Sequence, residues 1–432
     1  MALKTIKVAL VGGGMYGRDV VLRTMMDIER CGIAPYLGTT GLDHHAKDYD
    51  GVSYEMVGVG TRTASTAKRL VEEYRQSIPS SAIEPFSGEA PWREMVKAKK
   101  PDVLLVATPD HLHTEPIMTA LEGGVHVVSQ KPLTLKLSEV DEIIAKSRAK
   151  GLVVAVDMHK RYDSFLRSAF VDIVPRLGTI NYGRAVLEEP LEISTEIFKW
   201  AASSNPFSYV GIHWLDLIAY YMGVQPVSLH AVGQRNALVG WRDKAHPDGI
   251  DTFDSMQVGV VYDNGMRIEY VNAWINPKDF EGPVNQEMEI VGTLGRVFVD
   301  QQDRGMRSAV TGSGSRTHNP HFQAEVPRVG GNGERISVGY SKDSLIAGLE
   351  AATRVLVGKA TRDDLVGHYP DAETARSCVA ILEAADQVAR ANAAHQAAGR
   401  GAPVTALFKD GGFQVLDPFE ERRKDDPSRT SL

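Results

Sequence analysis

The stretch VALVGGGMYGRDVV, Val8 to Val21, constrains this chain more than any other. Its β-branched approach, TIKVALV, reads as a buried strand. The strand stops on three glycines, a fourth follows three residues later, and apolar residues then recur at helical spacing through Val20, Val21, Met25 and Ile28. Strand, glycine turn and helix form the context in which G-x-G-x-x-G binds a dinucleotide. Gly12 permits the tight turn, Gly14 lets the backbone approach a pyrophosphate, and Gly17 lets the helix pack close to the strand. The phosphates then meet N–H groups at the start of the helix, beside Met15 and Tyr16. A flexible turn without a ligand is the competing reading, and the flanking elements favour the first.

The pattern continues as strand and helix in alternation. Tyr54–Gly60, Val103–Ala107, Val125–Val128 and Leu152–Val156 read as further apolar strands. Ala64–Gln76, Thr114–Glu122 and Ser138–Lys150 read as helices between them. Apolar strands alternating with helices mean a parallel sheet covered on both faces, a doubly wound α/β fold of the Rossmann type. Cys31 to Ser53, rich in Gly, His and Asp, reads as an inserted loop. The acid that usually ends the second strand is absent, and Thr61 and Arg62 stand there instead. An Arg pairs with a 2′-phosphate where an acid would hold ribose hydroxyls, which tilts the cofactor expectation from NAD toward NADP. Arg62 as a solvated charge is the alternative, with Asp43 or Asp48 of the insertion supplying an acid.

After about Lys160 the strands lengthen and alternate, as in RAVLEEPLEI, DSMQVGVVYD and MRIEYVNAW. The last two flank Asp263-Asn264-Gly265, a hairpin turn. This predicts an α+β domain with a large, mostly antiparallel sheet. A chain of 432 residues exceeds one compact core. The expected division is a dinucleotide-binding domain at 1–157, a substrate domain with an oligomerisation sheet at 158–400, and a C-terminal arm at 401–432. Arg304–Glu334 reads as a long loop, and Leu345–Leu356 and Glu373–Ala394 as helices.

A net charge of -7 spread along the chain argues against nucleic acid or an anionic membrane as partner. No apolar run reaches the roughly 18–20 residues of a membrane span. Two cysteines far apart supply neither a disulfide scaffold nor a cysteine zinc site. His44, His45, His111 and His113 form no convincing ligand set, so no metal is expected. A cytoplasmic location follows from this reading.

The segment VLLVATPDHLHTEPIMTALEGGVHVVSQKPLT resembles the Gfo/Idh/MocA oxidoreductase family, the relatives of glucose–fructose oxidoreductase and inositol dehydrogenase. The matching elements are Thr108-Pro109, His113, the Gly-x-His-Val run to Val128, and Gln130-Lys131-Pro132. The resemblance implies that Lys131 lies beside the nicotinamide and the reacting hydroxyl. A lysine pressed by the oxidised ring's cation loses its proton more readily, which suits proton transfer. The family's usual Glu is here Gln130, making its contact with the nicotinamide ribose neutral. In SYVGIHWLDLIAYYMG, His213 matches the family's histidine and is expected as general acid/base. Tyr209 occupies the usual Asp position, and a phenol needs a cationic neighbour to act as a base. Asp216 either orients His213 or caps a surface. In DMHKRYD, Lys160, Arg161 and Tyr162 either bind an anionic substituent of the substrate or form ion pairs between domains. Lys199 and Trp200 precede the helix motif, and Trp200 either stacks on a sugar face or packs in a core.

The resemblance implies an NAD(P)-dependent oxidoreductase moving hydride between a carbohydrate or polyol ring hydroxyl and nicotinamide. The alternative is an NAD-dependent redox glycosidase, working by transient C3 oxidation, elimination, water addition and re-reduction. A non-catalytic sensor of cofactor and sugar is the third. The resemblance also implies a homodimer or homotetramer, paired through the open sheet face of the second domain.

Overall fold

The computed structural model describes residues 4–277, 280, 284–301, 306–310, 314–319, 321–327 and 335–420. The chain divides into two compact units.

The first comprises Met1–Thr134, Ser138–Ser164 and Pro320–Arg376. Its sheet contains β1 (Lys4–Val11), β2 (Val52–Thr61), β3 (Glu84–Ser87), β4 (Val103–Val106), β5 (His126–Gln130) and β6 (Val154–Asp157), in the order β3-β2-β1-β4-β5-β6. Every pairing is parallel. β4, β5 and β6 are buried along their whole length, as strands covered on both faces must be. The order reverses direction beside β1, and the crevice at the carboxyl ends of β1 and β4 is the ligand position of such sheets. β3 was not apparent in the sequence: EPFS is a polar edge strand carrying a proline.

Two elements depart from the expected boundaries. Helix Tyr340–Leu356 packs in this unit, where Leu345, Ile346 and Leu349 share one core with β1, β2 and β4. Its Gly348 lies so close to the sheet that a Cβ there would meet Val128 Cγ1 at 2.9 Å. Pro320–Arg376 therefore belongs with the N-terminal sheet rather than with the residues at 158–319. The insertion is likewise not an open loop. It forms helical turns at Ala34–Tyr36, Leu37–Thr40 and Asp43–Tyr49. Tyr49 donates to Glu350 Oε1 at 2.6 Å, and His45 Nδ1 lies 2.8 Å from the same oxygen. Polar side chains looked loop-like in sequence because their partner stands about 300 residues away.

The second unit comprises Leu135–Leu137, Phe165–Asn319 and Ser377–Leu432. It contains β7 (Ile180–Pro190), β8 (Pro226–Gln234), β9 (Ser255–Tyr262), β10 (Arg267–Asn276), β11 (Asn285–Gly292) and β12 (Gly295–Asp300). Among the described residues of this sheet, only β7 and β10 pair in parallel. The hairpin turn at Asp263-Asn264-Gly265 is present, with Gly265 at φ +84°. Within the stretch expected as a long loop, β13 (Met306–Val310) pairs with β14 (Gly314–His318), and β15 (Ala324–Pro327), in the first unit, pairs with β16 (Arg335–Val338) just beyond that stretch. The remainder of 304–334 lies largely outside the described residues. The C-terminal arm is corrected in part: β17 (Thr405–Lys409) and β18 (Gly412–Leu416) complete the order β12-β11-β7-β10-β9-β8-β17-β18. Asp410 and Gly411 between them both have positive φ, at 53° and 73°, the geometry of a tight hairpin turn. Residues 421–432 lie outside the described residues. Among the described residues no helix is long and apolar enough to cross a membrane.

Candidate active site

At the end of β1 each glycine has a separate reason. Gly12 has φ +106°, and a Cβ there would stand 2.1 Å from the carbonyl oxygen of Ala107. Gly17 presses against the same turn: its Cβ would fall 2.4 Å from the Gly12 oxygen. Gly13 is hemmed in by Thr61 and Leu70 side chains at 2.7 and 2.8 Å. Gly14 differs, because among the described residues, its own chain neighbours aside, nothing lies within 4 Å of a Cβ placed there. Packing therefore explains three glycines and leaves the fourth to a ligand. An exposed backbone at Gly14, followed by a helix opening at Met15, fits a dinucleotide pyrophosphate. Met15 is exposed and Gly17 is buried.

Around this turn stand the ends of the neighbouring strands. Thr61 is buried, and its hydroxyl donates to the carbonyl of Thr63 at 2.8 Å. Arg62 is exposed. After β4, Thr108 and Pro109 are half-buried. His113 is fully buried, with Nδ1 2.7 Å from the Pro132 carbonyl and Nε2 2.8 Å from the Thr108 carbonyl. It thus clamps the loop after β4 to the loop after β5, through its own ring nitrogens. The peptide bond between Lys131 and Pro132 is cis.

β5 and β6 pair so that Gln130 stands beside Asp157. Gln130 Nε2 donates to Asp157 Oδ2 at 2.6 Å, and the Tyr16 hydroxyl donates to the same oxygen at 2.5 Å. Asp157 is 1% exposed. Burial raises its pKa, while hydrogen bonding and the Lys131 charge act against that rise. Lys131 is itself 7% exposed. Next along the chain, His159 is buried between the Tyr16 and Tyr340 rings, at centroid distances of 6.3 and 5.7 Å. Burial holds His159 well below the usual histidine range, with the Lys160 and Lys131 charges adding to the effect. Lys160 and Arg161 are buried rather than displayed at a mouth, Tyr162 is half-buried, and Arg161 donates to Thr374 Oγ1 at 3.3 Å. Sequence reasoning passed over Asp157 and His159. Their signal was the strand end shared by DMHKRYD and SQKP.

In the second unit, His213 stands at the start of helix Ile212–Met222 and is 5% exposed. The preceding turn, Phe207–Gly211, is π-helical, a deviation common at functional sites. Gly211 is required there, since a Cβ would meet the Phe207 ring at 2.5 Å and Asn272 Oδ1 at 2.8 Å. Asp216, one turn beyond His213, is 2% exposed. Tyr209 is half-buried in an aromatic cluster, 4.7 Å from Phe198, 5.8 Å from Trp200 and 6.1 Å from Trp274 by ring centroids. Trp200 stacks on Phe198 at 4.6 Å, and Lys199 is exposed. Glu189, not anticipated from the sequence, is buried beside this cluster and accepts from Trp274 Nε1 at 2.8 Å.

A doubly wound sheet with a glycine cradle, joined in one chain to a large mixed sheet, defines the class: a two-unit dinucleotide-binding protein. Family comparison is more specific. Residues 6–158 match the model described as "Oxidoreductase family, NAD-binding Rossmann fold", and residues 175–298 match the GFO/IDH/MocA C-terminal domain. The chain belongs to the Gfo/Idh/MocA oxidoreductase family.

Among relatives, it is 28% identical over 190 residues to the D-glucoside 3-dehydrogenase of Escherichia coli, covering 41% of this chain and 50% of that one. It is 25% identical over 277 residues to the 2,7-anhydro-N-acetylneuraminate hydratase of Mediterraneibacter gnavus, covering 60% and 70%. The match thus spans only half the length of the first of these relatives. The crystal structure of scyllo-inositol dehydrogenase from Lactobacillus casei, with NAD(H) and scyllo-inositol, shares the fold: TM-score 0.59, 16% identity, 90% of this chain and 98% of that one covered.

Proposed function

We propose that this protein moves hydride between a ring carbon of a carbohydrate or cyclic polyol and a nicotinamide dinucleotide. The observation that carries the reading is the buried Lys131 at the end of β5, in the same unit as a glycine turn whose exposed backbone at Gly14 fits a pyrophosphate. The family description and the NAD(H) in the scyllo-inositol dehydrogenase structure support NAD. The exposed Arg62 supports binding of NADP as well.

Gly12, Gly14, Met15, Tyr16 and Gly17 would hold the pyrophosphate side of the cofactor, and Thr61 and Arg62 the adenosine ribose. Thr108, Pro109, His113 and Gln130 shape the nicotinamide end. When bound, the nicotinamide supplies a hydride acceptor. Lys131 exchanges the proton of the reacting hydroxyl, and His213 acts as general acid/base, with Tyr209 assisting. Lys160, Arg161, Tyr162, Lys199 and Trp200 select the substrate. A homodimer or homotetramer in the cytoplasm completes the reading.

The test is a panel of inositols, hexoses and alkyl glucosides with NAD or NADP, followed by nicotinamide absorbance. Lys131→Met should abolish reduction and leave cofactor binding within about threefold. Turnover by that variant would refute the assignment.

A second reading, a redox glycosidase, is favoured by one observation: Tyr209, a phenol, stands four residues before His213 where a plain dehydrogenase has a carboxylate. The resemblance to a glucoside 3-dehydrogenase and to a hydratase is compatible with it. In that reaction the C3 hydroxyl is oxidised, and a base then takes the acidified C2 proton as the C1 substituent leaves. Water adds across C1 and C2, and the hydride returns to C3. Phenol release from an aryl glucoside without net nicotinamide reduction distinguishes it.

A further inference from the structure

The Asp157 carboxylate is used twice on one oxygen. Oδ2 accepts from the Tyr16 hydroxyl at 2.5 Å and from Gln130 Nε2 at 2.6 Å. Tyr16 opens the helix that leaves the glycine turn after β1, and Gln130 ends β5, immediately before Lys131 on the turn that follows. Both lie at the carboxyl edge of the sheet, the first at the switch point beside β1 and the second two strands away, beyond β4. A single buried side chain therefore joins the phosphate-binding turn to the lysine turn.

We propose, on the reading of Lys131 as the proton-transfer group, that Asp157 is its positioning residue. The shared oxygen fixes the two turns relative to one another, and the carboxylate charge steadies the Lys131 ammonium. The buried setting makes that charge count, because little water screens it. Among the described residues, the other charged or titratable groups of this neighbourhood include His159, Lys160 and Arg161 on the turn after β6, and Tyr16 on the first helix. Ser344 and Tyr340 face it from helix Tyr340–Leu356. Lys160 carries the same charge as Lys131 and so works against its protonation, and burial holds His159 toward its neutral form; of these groups Asp157 is the one that favours a protonated lysine.

The test is a pH titration of the Lys131 side chain by nitrogen NMR in cofactor-free protein, with the resonance assigned by its loss in Lys131→Met. Asp157→Asn keeps an oxygen acceptor for Tyr16 and Gln130 but removes the charge. It should lower the Lys131 midpoint by about one unit or more, a tenfold loss of proton affinity. The acidic limb of the kcat–pH profile should move by the same amount. Tyr16→Phe keeps the charge and should leave the midpoint within about 0.3 unit, while weakening NAD binding severalfold as the turn loses its tie. Should Asp157→Asn fail to fold, Asp157→Ser gives the same reading. An unmoved midpoint in the folded variant overturns the role of Asp157. Full turnover by Lys131→Met overturns instead the functional reading on which it rests.

Discussion

The hydroxyl of Tyr16 lies 2.5 Å from Oδ2 of Asp157. Residues 141 positions apart, one in a glycine turn and one at a strand end, thus share a hydrogen bond inside the first unit. The same oxygen accepts from Gln130, at the position where the resemblance leads one to expect Glu. An amide donates to Asp157, whereas a carboxylate would confront it.

That confrontation can be created. Gln130→Glu places two carboxyl groups within hydrogen-bonding distance in a buried site, and they must share a proton. One folded-state pKa then lies above its unfolded value, so stability is retained at low pH and lost as pH rises through that pKa. We predict that the variant is destabilised by about 2–4 kcal/mol near pH 8 and by much less near pH 5. Urea unfolding at both pH values checks it; a pH-independent loss would contradict it.

The glycines separate folding from binding. Gly14→Ala meets open space and should leave the melting temperature within about 1 °C, yet its methyl group intrudes where a pyrophosphate would approach. Cofactor Kd should rise about tenfold or more. Gly12→Ala, at positive φ and 2.1 Å from a carbonyl oxygen, should cost about 2–4 kcal/mol of stability before any question of binding. Calorimetry of both variants with and without NAD decides it. Equal effects of the two on folding would remove the case for a phosphate at Gly14.

His126 makes stability fall in acid. It is 4% exposed on β5, and Nδ1 accepts from the Val153 N–H at 3.0 Å, which requires an unprotonated nitrogen. Burial, aided by the Lys4 charge, depresses its pKa to about 4. Between that value and about 6.5 the unfolded chain binds the extra proton, so stability rises with pH across this window. The contribution lost on acidification is roughly 3 kcal/mol. His126→Asn, which keeps an acceptor for Val153, should be less stable at neutral pH but show a flatter decline toward about pH 4.5.

Arg62 bears on cofactor choice. It is exposed just past Thr61, whose hydroxyl is occupied by the Thr63 carbonyl. Arg62→Ala should weaken NADP about tenfold relative to NAD, by removing a charge-assisted contact with the 2′-phosphate. Paired Kd measurements check this ratio. An unchanged ratio makes Arg62 a solvated charge.

Much of this was legible in the chain because the signals were local. VALVGGGMYG combined strand, turn and helix in 10 consecutive residues, and the apolar strands announced a parallel sheet. What escaped depended on distant partners. His45 and Tyr49 looked like loop residues until Glu350 supplied their acceptor. Helix Tyr340–Leu356 was visible as a helix, but its place on the first sheet rests on Gly348 meeting Val128. The Asp410-Gly411 turn was readable in principle, being a known hairpin dipeptide, yet the place of its strands depends on β17 pairing with the distant β8. Asp157 was invisible as a partner of Gln130 because parallel register, not sequence spacing, sets them side by side.

The most direct measurement is a single turnover with a ring-deuterated pyranoside or inositol and cofactor-loaded protein, read at the nicotinamide absorbance near 340 nm. We predict a transient or lasting rise with a primary deuterium isotope effect, absent in Lys131→Met. Bound cofactor with no isotope-sensitive reduction by any member of the panel, or an unimpaired Lys131→Met, would contradict hydride transfer at this lysine.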